Sequence, residues 1–169
     1  MSKRLTAVAF VCAAIAATGC TSTVSGTPAP AMSGTPTSAD AGDPFAGMVA
    51  CRVLDQLNAG QGFNPGDNIS RRNECTATKP GLGSDGLALD PVQGLAAFKQ
   101  INPESIDIRV NGRKALQEQN PLGCTIAFEV SDHARVLAQM AMSQPERNAE
   151  ACPLAHDLAE RVEALLPRR

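Results

Sequence analysis

The chain has 169 residues, contains no Trp or Tyr and only five Phe, and carries 15 basic against 17 acidic residues. Clustered Lys and Arg are needed to follow a phosphate backbone, and aromatic faces are needed to stack bases or sugars. The composition therefore argues against nucleic-acid and carbohydrate binding, and we predict no nucleic-acid partner.

The first 19 residues have the pattern of an export signal. Lys3 and Arg4 supply a positive start, and the apolar segment 5–16 leads to Ala17-Thr18-Gly19-Cys20. A positive start, a short apolar segment and small residues at the cleavage point define a secretory signal. The last four residues resemble a lipobox, in which a lipoprotein signal peptidase cuts before a cysteine that carries diacylglycerol. We therefore predict a lipoprotein signal peptide at 1–19 and lipidation of Cys20.

Two other interpretations of this segment stay open. An ordinary secretory peptide would be cut nearby and would leave Cys20 as an unmodified thiol, and an uncleaved segment would act as a membrane anchor. The apolar run is shorter than the roughly 20 residues that cross a bilayer as a helix, which disfavours an anchor of that kind. Durable membrane attachment needs two acyl chains, and diacylglycerol on Cys20 supplies both. The expected location is the extracytoplasmic face of the cell membrane.

Residues 20–42 form a separate region, rich in Thr, Ser, Pro, Ala and Gly, with Asp40 as its only charged residue. Such a composition lacks the apolar surface that would offset chain entropy on folding. We therefore predict a disordered tether between the lipid and the domain that follows.

Without residues 1–19 the chain has 13 basic against 17 acidic residues, which gives a net charge of −4.

One globular domain is expected at 43–169, since this length suits a single domain with a modest core. Asp43-Pro44 has the pattern of a helix start, where Asp caps unpaired backbone amides and Pro occupies the first helical position. A first helix is therefore predicted from Asp43 to about Ala59, ending at Gly60. Apolar residues at helical spacing give this helix one buried face: Ala46, Val49, Ala50, Val53, Leu54 and Leu57.

The middle of the domain mixes strand and helix patterns. Residues 73–79 alternate, with Cys75 and Ala77 on the same side, as in a half-buried strand. A short strand is predicted around 87–89. Residues 90–100, which open with a second Asp-Pro pair, are predicted to form a shorter helix.

Hairpins are predicted in the second half of the domain. A strand at 106–110 is followed by Asn111-Gly112, the strongest short hairpin signal, and by a strand that contains Ala115. A second hairpin joins strands near 124–130 and 136–142, each with apolar residues at alternate positions.

A closing helix is predicted from about Ala149 to Leu166, with Pro153 in its first turn and Pro167 after its end. Strands that are grouped between helices and joined by hairpins indicate an α+β domain. We expect an antiparallel sheet with the N- and C-terminal helices packed on one face.

Four cysteines lie in the predicted domain. Thiols of an exported chain are usually oxidised, which indicates two disulfides, and four cysteines allow three pairings. We favour Cys51 with Cys75 and Cys124 with Cys152, because each pair joins a terminal helix to a nearby strand. A four-cysteine metal site is the rival interpretation, but structural zinc cysteines usually come in close pairs, and no two of these cysteines are near in sequence.

A set of short motifs runs nearly from end to end of the domain. They are Asp43-Pro44, Cys51-Arg52-Val53-Leu54, Cys75, Gly112-Arg113-Lys114-Ala115, Cys124-Thr125-Ile126, and Cys152 with Ala155, Leu158 and Ala159. In this order the motifs resemble an actinobacterial lipoprotein family of unknown function, domain-of-unknown-function 3558. The family has no agreed activity, so the resemblance implies a fold and a location rather than a reaction.

No catalytic, cofactor or metal site is predicted. His133 and His156 are the only histidines, and a hydrolytic triad needs a histidine that converges with a serine and an acid. The chain has no G-x-S-x-G motif and no phosphate-loop motif. Its acidic residues are scattered rather than paired, as glycoside hydrolysis would require. We therefore expect that the protein is not an enzyme.

Two functions are consistent with the sequence. The first is an interaction module that contacts another envelope protein, with Arg109, Arg113 and Glu118 around the central hairpin as its surface. The second is a carrier or sensor of a lipid or other small apolar ligand, held between the sheet and the helices by four side chains: Phe98, Phe128, Met140 and Met142. Met and Phe also fill ordinary cores, so we favour the module. A filled core would support it, and a dry cavity of roughly some hundreds of cubic ångströms would support the carrier.

Overall fold

The structure is a computed structural model that describes residues 43–68 and 70–167. All of these residues belong to one compact unit of the chain. The predicted signal peptide, the lipidation of Cys20 and the tether lie outside the described residues. None of the described helices is long and apolar enough to span a membrane.

The described residues have an α+β fold, as predicted: a six-stranded antiparallel sheet with three α-helices. In chain order the elements are α1 (Ala50–Asn58), β1 (Glu74–Lys79), β2 (Gly83–Asp90), α2 (Leu95–Ile101), β3 (Ile106–Val110), β4 (Arg113–Asn120), β5 (Gly123–Ser131), β6 (Ala134–Met142), a 3₁₀ helix (Pro145–Glu150) and α3 (Ala151–Glu163). The strand order is β1-β2-β6-β5-β4-β3.

Hairpins build most of this sheet. β1 and β2 form one hairpin, β3 to β6 form an antiparallel meander, and the pairing of β2 with β6 joins the two parts. The turn between β3 and β4 is Asn111-Gly112, with φ angles of 47° and 88°. Positive φ at both central residues is the geometry of a type I′ hairpin turn, and β3 pairs with β4 across it, so the predicted hairpin is confirmed.

The two terminal helices pack on one face of the sheet, which we call the first face. Its largest fully buried side chains include Phe45, Leu54, Leu87, Ile126, Phe128, Val136 and Leu158. The disulfide Cys51–Cys75 ties α1 to β1, and Cys124–Cys152 ties α3 to β5, with Cα–Cα distances of 4.9 and 5.0 Å. The favoured pairing and the packing of both terminal helices on one face are confirmed.

Among the described helices, α2 packs on the opposite face, which we call the second face. Phe98 of α2 is buried against Leu116 of β4 and Ala127 of β5, and Leu95 and Leu137 pack at the margin of this cluster. The cluster is much smaller than the first-face core, so a large part of the second face has no helix over it.

The first Asp-Pro pair starts a turn and not a helix, so the predicted start of α1 is wrong. Asp43 accepts hydrogen bonds from the backbone amides of Phe45 (3.0 Å) and Gly47 (2.9 Å). Ala46 and Gly47 have φ angles of 48° and 74°, and a right-handed helix does not continue through left-handed residues. The helix therefore begins only at Ala50. Two residues predicted on its buried face are exposed, Ala46 and Val49.

The second Asp-Pro pair behaves in the same way. Asp90 accepts hydrogen bonds from the backbone amides of Val92 and Gln93, both at 3.1 Å. Its carboxylate therefore caps a turn, and α2 begins at Leu95 instead of directly after Asp90.

Two other element bounds differ from the prediction. β2 starts at Gly83, earlier than predicted. A side chain at this position would lie 1.9 Å from the carbonyl oxygen of Ala141, so only glycine lets β6 approach so closely. α3 runs over Ala151–Glu163 and is preceded by the 3₁₀ helix, so the α-helix is shorter than expected. Pro153 lies in its first turn, as predicted.

Candidate functional site

The second face of the sheet holds the candidate site. α2 covers the part of this face that β4 and β5 form, because its one buried side chain, Phe98, contacts Leu116 and Ala127. On one side of α2 lies a pocket over β2 and β6. On the other side lies a groove over β3 and β4, and the far end of the sheet is open.

Arg135 is the central side chain of the pocket over β2 and β6, which we call the Arg135 pocket. It lies opposite Asp90 in the ladder between these strands and is only 5% exposed. Its Nη1 donates to the Gly94 carbonyl (3.2 Å), and its Nη2 donates to Gln93 Oε1 (2.8 Å). Asp90 Oδ2 lies 3.4 Å from Nη2. The guanidinium lies 5.6 Å from the centre of the Phe98 ring, which is a cation–π distance.

The charge of Arg135 is poorly solvated. Burial lowers the pKa of its guanidinium, Asp90 acts in the opposite direction, and the positive charge of Arg72 lowers the pKa further. Its Nε is buried and has no hydrogen-bond partner among the described residues. A buried donor without an acceptor costs about 1–3 kcal/mol. Arg135 is therefore a desolvated cation with one buried, unused donor.

The Arg135 pocket has a volume of about 340 Å³. Ala88 and Leu137 form its floor, and the loop residues 91–93 form one wall. Gly94 fixes this loop against the turn between β5 and β6, since a side chain at Gly94 would lie 2.1 Å from the carbonyl oxygen of Asp132. The wall is therefore held in place by close packing as well as by the hydrogen bond to Arg135.

The groove over β3 and β4 is larger, about 630 Å³, and more exposed. Its charged side chains are Lys99, Asp107, Arg109, Lys114 and Glu129. Lys99 donates a hydrogen bond to the backbone carbonyl of Ser105. Both charge signs are present on solvated side chains, whose pairwise interactions are weak, so the groove does not select a ligand by charge.

The uncovered end of the second face is built from uncharged residues, most of them small, and we call it the open floor. They are Thr76, Ser84, Gly86, Thr125, Gln139 and Ala141. Four of them lie in one row across β1, β2, β6 and β5, namely Thr76, Gly86, Gln139 and Thr125. Gln139 Nε2 donates to Thr125 Oγ1 at 3.4 Å. Leu122, 79% exposed, lies at the margin. The result is a flat surface whose six residues carry hydrogen-bonding groups and no charge, with Glu118 of β4 next to Thr125 at its border.

The three residues predicted to form one interaction surface do not share a face. Arg109 and Glu118 belong to the second face, whereas Arg113 belongs to the first, where its Nε donates to Glu163 Oε1 at 2.7 Å. This hydrogen bond lowers the pKa of Glu163. Arg113 and Glu118 are an odd number of positions apart on one strand, so their side chains point to opposite faces. The predicted single surface is therefore wrong.

The four side chains predicted to line a ligand cavity do not line one space. Phe128 and Met140 are buried in the first-face core, with Met142 packed at its margin, and Phe98 lies on the second face. β5 and β6 separate the two sets. The predicted cavity between the sheet and the terminal helices is therefore wrong in its lining.

The two histidines lie in different elements. His133 is exposed in the turn between β5 and β6. His156, on α3, has its Nε2 3.0 Å from the carbonyl oxygen of Arg109 and its Nδ1 3.7 Å from Glu160. Within residues 43–68 and 70–167, no group of three or more His, Cys, Asp and Glu residues is placed to hold a metal ion.

Sequence reasoning missed two buried charged residues, Arg135 and Asp85. Asp85 lies on the first face and is 2% exposed. Its Oδ2 accepts a hydrogen bond from Asn58 Nδ2 (2.9 Å), while Asp85 Oδ1 and Asn58 Oδ1 have no partner among the described residues. Burial raises the pKa of Asp85, and the Asn58 hydrogen bond opposes the shift. Alternation with Leu87 and Leu89 is the signal that would have placed Asp85 on the buried side.

No protein-family model matches this chain, and neither a curated protein nor a solved structure matches it significantly.

Proposed function

We propose that this protein is a lipid-anchored component of the cell envelope, held on the extracytoplasmic face of the membrane through Cys20. We further propose that its domain is a non-catalytic interaction module that contacts another envelope protein. The segment Ala17-Thr18-Gly19-Cys20 supports the anchor, and the ordered set of cysteine and Gly112-Arg113 motifs supports a relation to the actinobacterial lipoprotein family named above.

The open floor is the proposed contact surface, and it is the observation that carries the proposal. Apart from Gln139 its side chains are short, so docking restricts few rotamers. Its backbone groups are already paired within the sheet, because β2, β6 and β5 are interior strands. Leu122, which is 79% exposed at the margin, offers an apolar side chain for a partner to cover. A partner gains contact area here at a small cost in conformational entropy.

The chemistry of the open floor defines the kind of partner. Thr76, Ser84 and Thr125 offer hydroxyl groups and Gln139 offers an amide, and none of the six floor residues is charged. The matching surface is an uncharged protein face with hydrogen-bond donors and acceptors. Since salt mainly screens charged contacts and Glu118 beside Thr125 is the charged neighbour of this row, we expect the complex to depend only weakly on ionic strength.

The packing of the first-face core favours the interaction module. The alternative is a carrier that holds its ligand between the sheet and the terminal helices. Phe128 is fully buried and Met140 is 4% exposed within a packed core. Side chains occupy the space that an apolar ligand would need, so a carrier of the predicted kind would have to open this core.

Site-specific cross-linking in the native envelope tests the contact surface. A photoreactive amino acid is placed at Thr125 of the full lipidated chain, and the matched control position is Asp157, which is exposed on α3. We expect a discrete cross-link to one envelope protein from position 125 and none from position 157. Equal cross-linking from both positions, or none from position 125, would contradict the proposal.

The anchor is tested with a pair of cysteine variants. Cys20→Ser removes the proposed lipidation site, and we expect the protein to leave the membrane fraction and to lose the mass of the lipid. Cys12→Ser, within the predicted signal peptide, is the matched control and should leave the mature protein unchanged. Retention of Cys20→Ser in the membrane fraction would argue for a different mode of attachment.

A further inference from the structure

We propose that β3 pairs with β3 of a second copy of this chain, so that two domains form a twofold-symmetric dimer with one continuous sheet. β3 lies at one edge of the sheet, whereas the open floor lies on β1, β2, β5 and β6. The proposal therefore goes beyond the protein contact described above.

The two edges of the sheet differ in what covers them. At one edge the loop before β1 pairs with it: Asp67 and Thr76 exchange backbone hydrogen bonds (2.8 and 3.0 Å), and the Asn64 amide donates to the Thr78 carbonyl (2.7 Å). Among the described residues, no segment pairs with the outer side of β3. β3 also contains no Pro or Lys, the residues that commonly protect an edge strand from pairing with another chain.

The backbone of β3 presents two residues to a partner strand. The turn Asn111-Gly112 makes the residues on either side of it a hydrogen-bonded pair, and bonded and non-bonded pairs alternate along an antiparallel ladder. The N–H and C=O groups of Asp107 and Arg109 therefore point away from β4. The Arg109 carbonyl oxygen lies 3.0 Å from His156 Nε2 on α3, which agrees with this direction. A carbonyl oxygen has two lone pairs, so it can also accept a hydrogen bond from a second chain.

The charges of β3 are self-complementary in one register. A twofold axis at Ile108 places Asp107 of each copy opposite Arg109 of the other, and it pairs all five residues of the strand. An axis at Asp107 would place two aspartates opposite each other, and an axis at Arg109 would do the same with two arginines. Facing opposite charges stabilise a strand pair, and facing like charges destabilise it. Charge and strand overlap therefore both select the axis at Ile108.

Both charged side chains are available for these contacts. Asp107 and Arg109 are exposed, and neither forms an ion pair with another described residue. Arg109 uses one of its donors on the Gly112 carbonyl (2.8 Å). In its own sheet Arg109 lies opposite another cation, Lys114, which is unfavourable. Asp107 of a second copy would lie on the other side of Arg109 and reduce this repulsion.

The side chains of β3 on the first face are apolar. Ile106 is 55% exposed, and Ile108 is partly buried at the margin of the first-face core. With the axis at Ile108, Ile106 faces Val110 of the second copy, and the two Ile108 side chains face each other as a closely spaced, non-hydrogen-bonded pair. Pairing therefore removes apolar surface from water on one face and joins opposite charges on the other.

Sedimentation equilibrium tests the pairing. The full mature chain is secreted with its disulfides formed and with Cys20→Ser, and is followed by refractive index because it has no Trp or Tyr. A pair of five-residue strands is smaller than a standard interface, so we expect a dissociation constant on the order of 100 µM. A chain that stays monomeric up to about 1 mM would overturn the proposal.

Charge reversal identifies the interface. Asp107→Arg and Arg109→Asp each place like charges opposite one another, and each should weaken the dimer about 10-fold. A mixture of the two variants has opposite charges at both facing positions, so it should form a heterodimer about as tight as the dimer without substitutions. Asp132→Arg, in the exposed turn between β5 and β6, changes the net charge as Asp107→Arg does and should leave the dimer unchanged.

Three outcomes of the reversal experiment would overturn the proposed pairing. They are dimers that tolerate both reversals, equal weakening by Asp132→Arg, and no heterodimer on mixing. The heterodimer also shows that both variants are folded. Cross-linking from Thr125, which lies on β5, does not depend on any of these results.

Discussion

The first and second faces of the sheet come from the same six strands but are completed in different ways. The first face is closed by α1 and α3, by a large core and by both disulfides. The second face carries α2, a cluster of three buried residues (Phe98, Leu116 and Ala127), a small pocket and the open floor. Apolar burial is the main source of folding free energy. We infer that the first face supplies most of the stability and that the second face is available for binding.

Each face also contains one buried charged side chain, and the two differ in their partners. Asp85, on the first face, has an amide partner and a raised pKa. Arg135, on the second face, borders a pocket and leaves one donor unused. A carboxyl group in a closed core can take up a proton to reduce its cost, whereas an arginine keeps its charge. The charge of Arg135 therefore depends on its internal partners Gly94, Gln93 and Asp90.

The largest predicted difference comes from making the same substitution on each face. Phe128→Ala opens a cavity in the first-face core and should lower the free energy of unfolding by about 4 kcal/mol. Phe98→Ala leaves a space in a three-residue cluster beside exposed surface, where the surrounding side chains can fill it more readily. The free energy of unfolding should therefore fall by only about 2 kcal/mol. Urea unfolding followed by circular dichroism measures both values, since the chain has no Trp or Tyr. An equal or larger loss for Phe98→Ala would contradict the inferred division of stability.

Removing a disulfide should have the next largest effect. The Cys124–Cys152 bond joins residues 28 positions apart, and Cys51–Cys75 joins residues 24 apart. In the chain-entropy account, replacing either pair by alanine costs about 3.5 kcal/mol. The two double variants should therefore unfold at similar urea concentrations, both below the unmodified chain. A negligible loss of unfolding free energy in either variant would contradict this account for the disulfide that was removed.

The Asp85 pair gives a smaller effect with a defined pH dependence. The pKa of Asp85 is higher in the native state than the unfolded value of about 3.9. At pH values between these two pKa values, the native state therefore binds more protons than the unfolded state. Stability from this group is therefore present at low pH and is lost as pH rises through that window. Asp85→Asn does not titrate, and its amide can donate to Asn58 Oδ1, which gives an expected gain of about 1 kcal/mol at pH 7.

This prediction is checked by urea unfolding of both proteins across the acid range. The advantage of Asp85→Asn should shrink as pH falls below the native pKa of Asp85. Asp132→Asn, in the exposed turn between β5 and β6, is the matched control and should show no such trend. A constant difference between Asp85→Asn and the unmodified chain at every pH would contradict the protonation of Asp85 in the native state.

The smallest effect on stability is expected on the open floor. Gln139→Lys adds a charge to an exposed position and should change the free energy of unfolding by less than about 0.5 kcal/mol, yet it should abolish the cross-link from position 125. Asp157→Lys on α3 is the control and should leave that cross-link intact. If Gln139→Lys kept the cross-link, the proposed contact surface would be wrong.

Patterns that depend on near neighbours predicted much of the fold. The predicted strand 106–110 has the bounds of β3, because its alternation ends at Asn111-Gly112, whose backbone preference is local. The disulfide pairing also followed from the order of elements. The helix starts predicted at the Asp-Pro pairs were wrong because an Asp carboxylate caps a turn or a helix equally well. At the first pair, the positive φ angles of Ala46 and Gly47 show that the chain forms a turn.

The candidate site was harder to predict because its geometry depends on distant packing. In β6, Arg135 lies on the same side of the strand as Leu137 and Gln139, and this mixed pattern does not predict that Arg135 is buried. Its burial is decided by where α2 and the loop at 91–94 pack on the second face. The open floor is also nonlocal, since its row of uncharged residues forms only when β2 pairs with β6.

The central claim is that the second face binds a partner in the envelope while the first face stays closed upon its own helices. Hydroxyl-radical footprinting of the chain without substitutions tests this claim. Leu122 at the open floor and Leu165 beyond α3 are the reporters, and they are 79% and 38% exposed. Oxidation in intact envelopes is compared with oxidation of the purified protein. The claim predicts that Leu122 is protected in envelopes and Leu165 is not. Unchanged oxidation of Leu122, or protection of Leu165 alone, would contradict it.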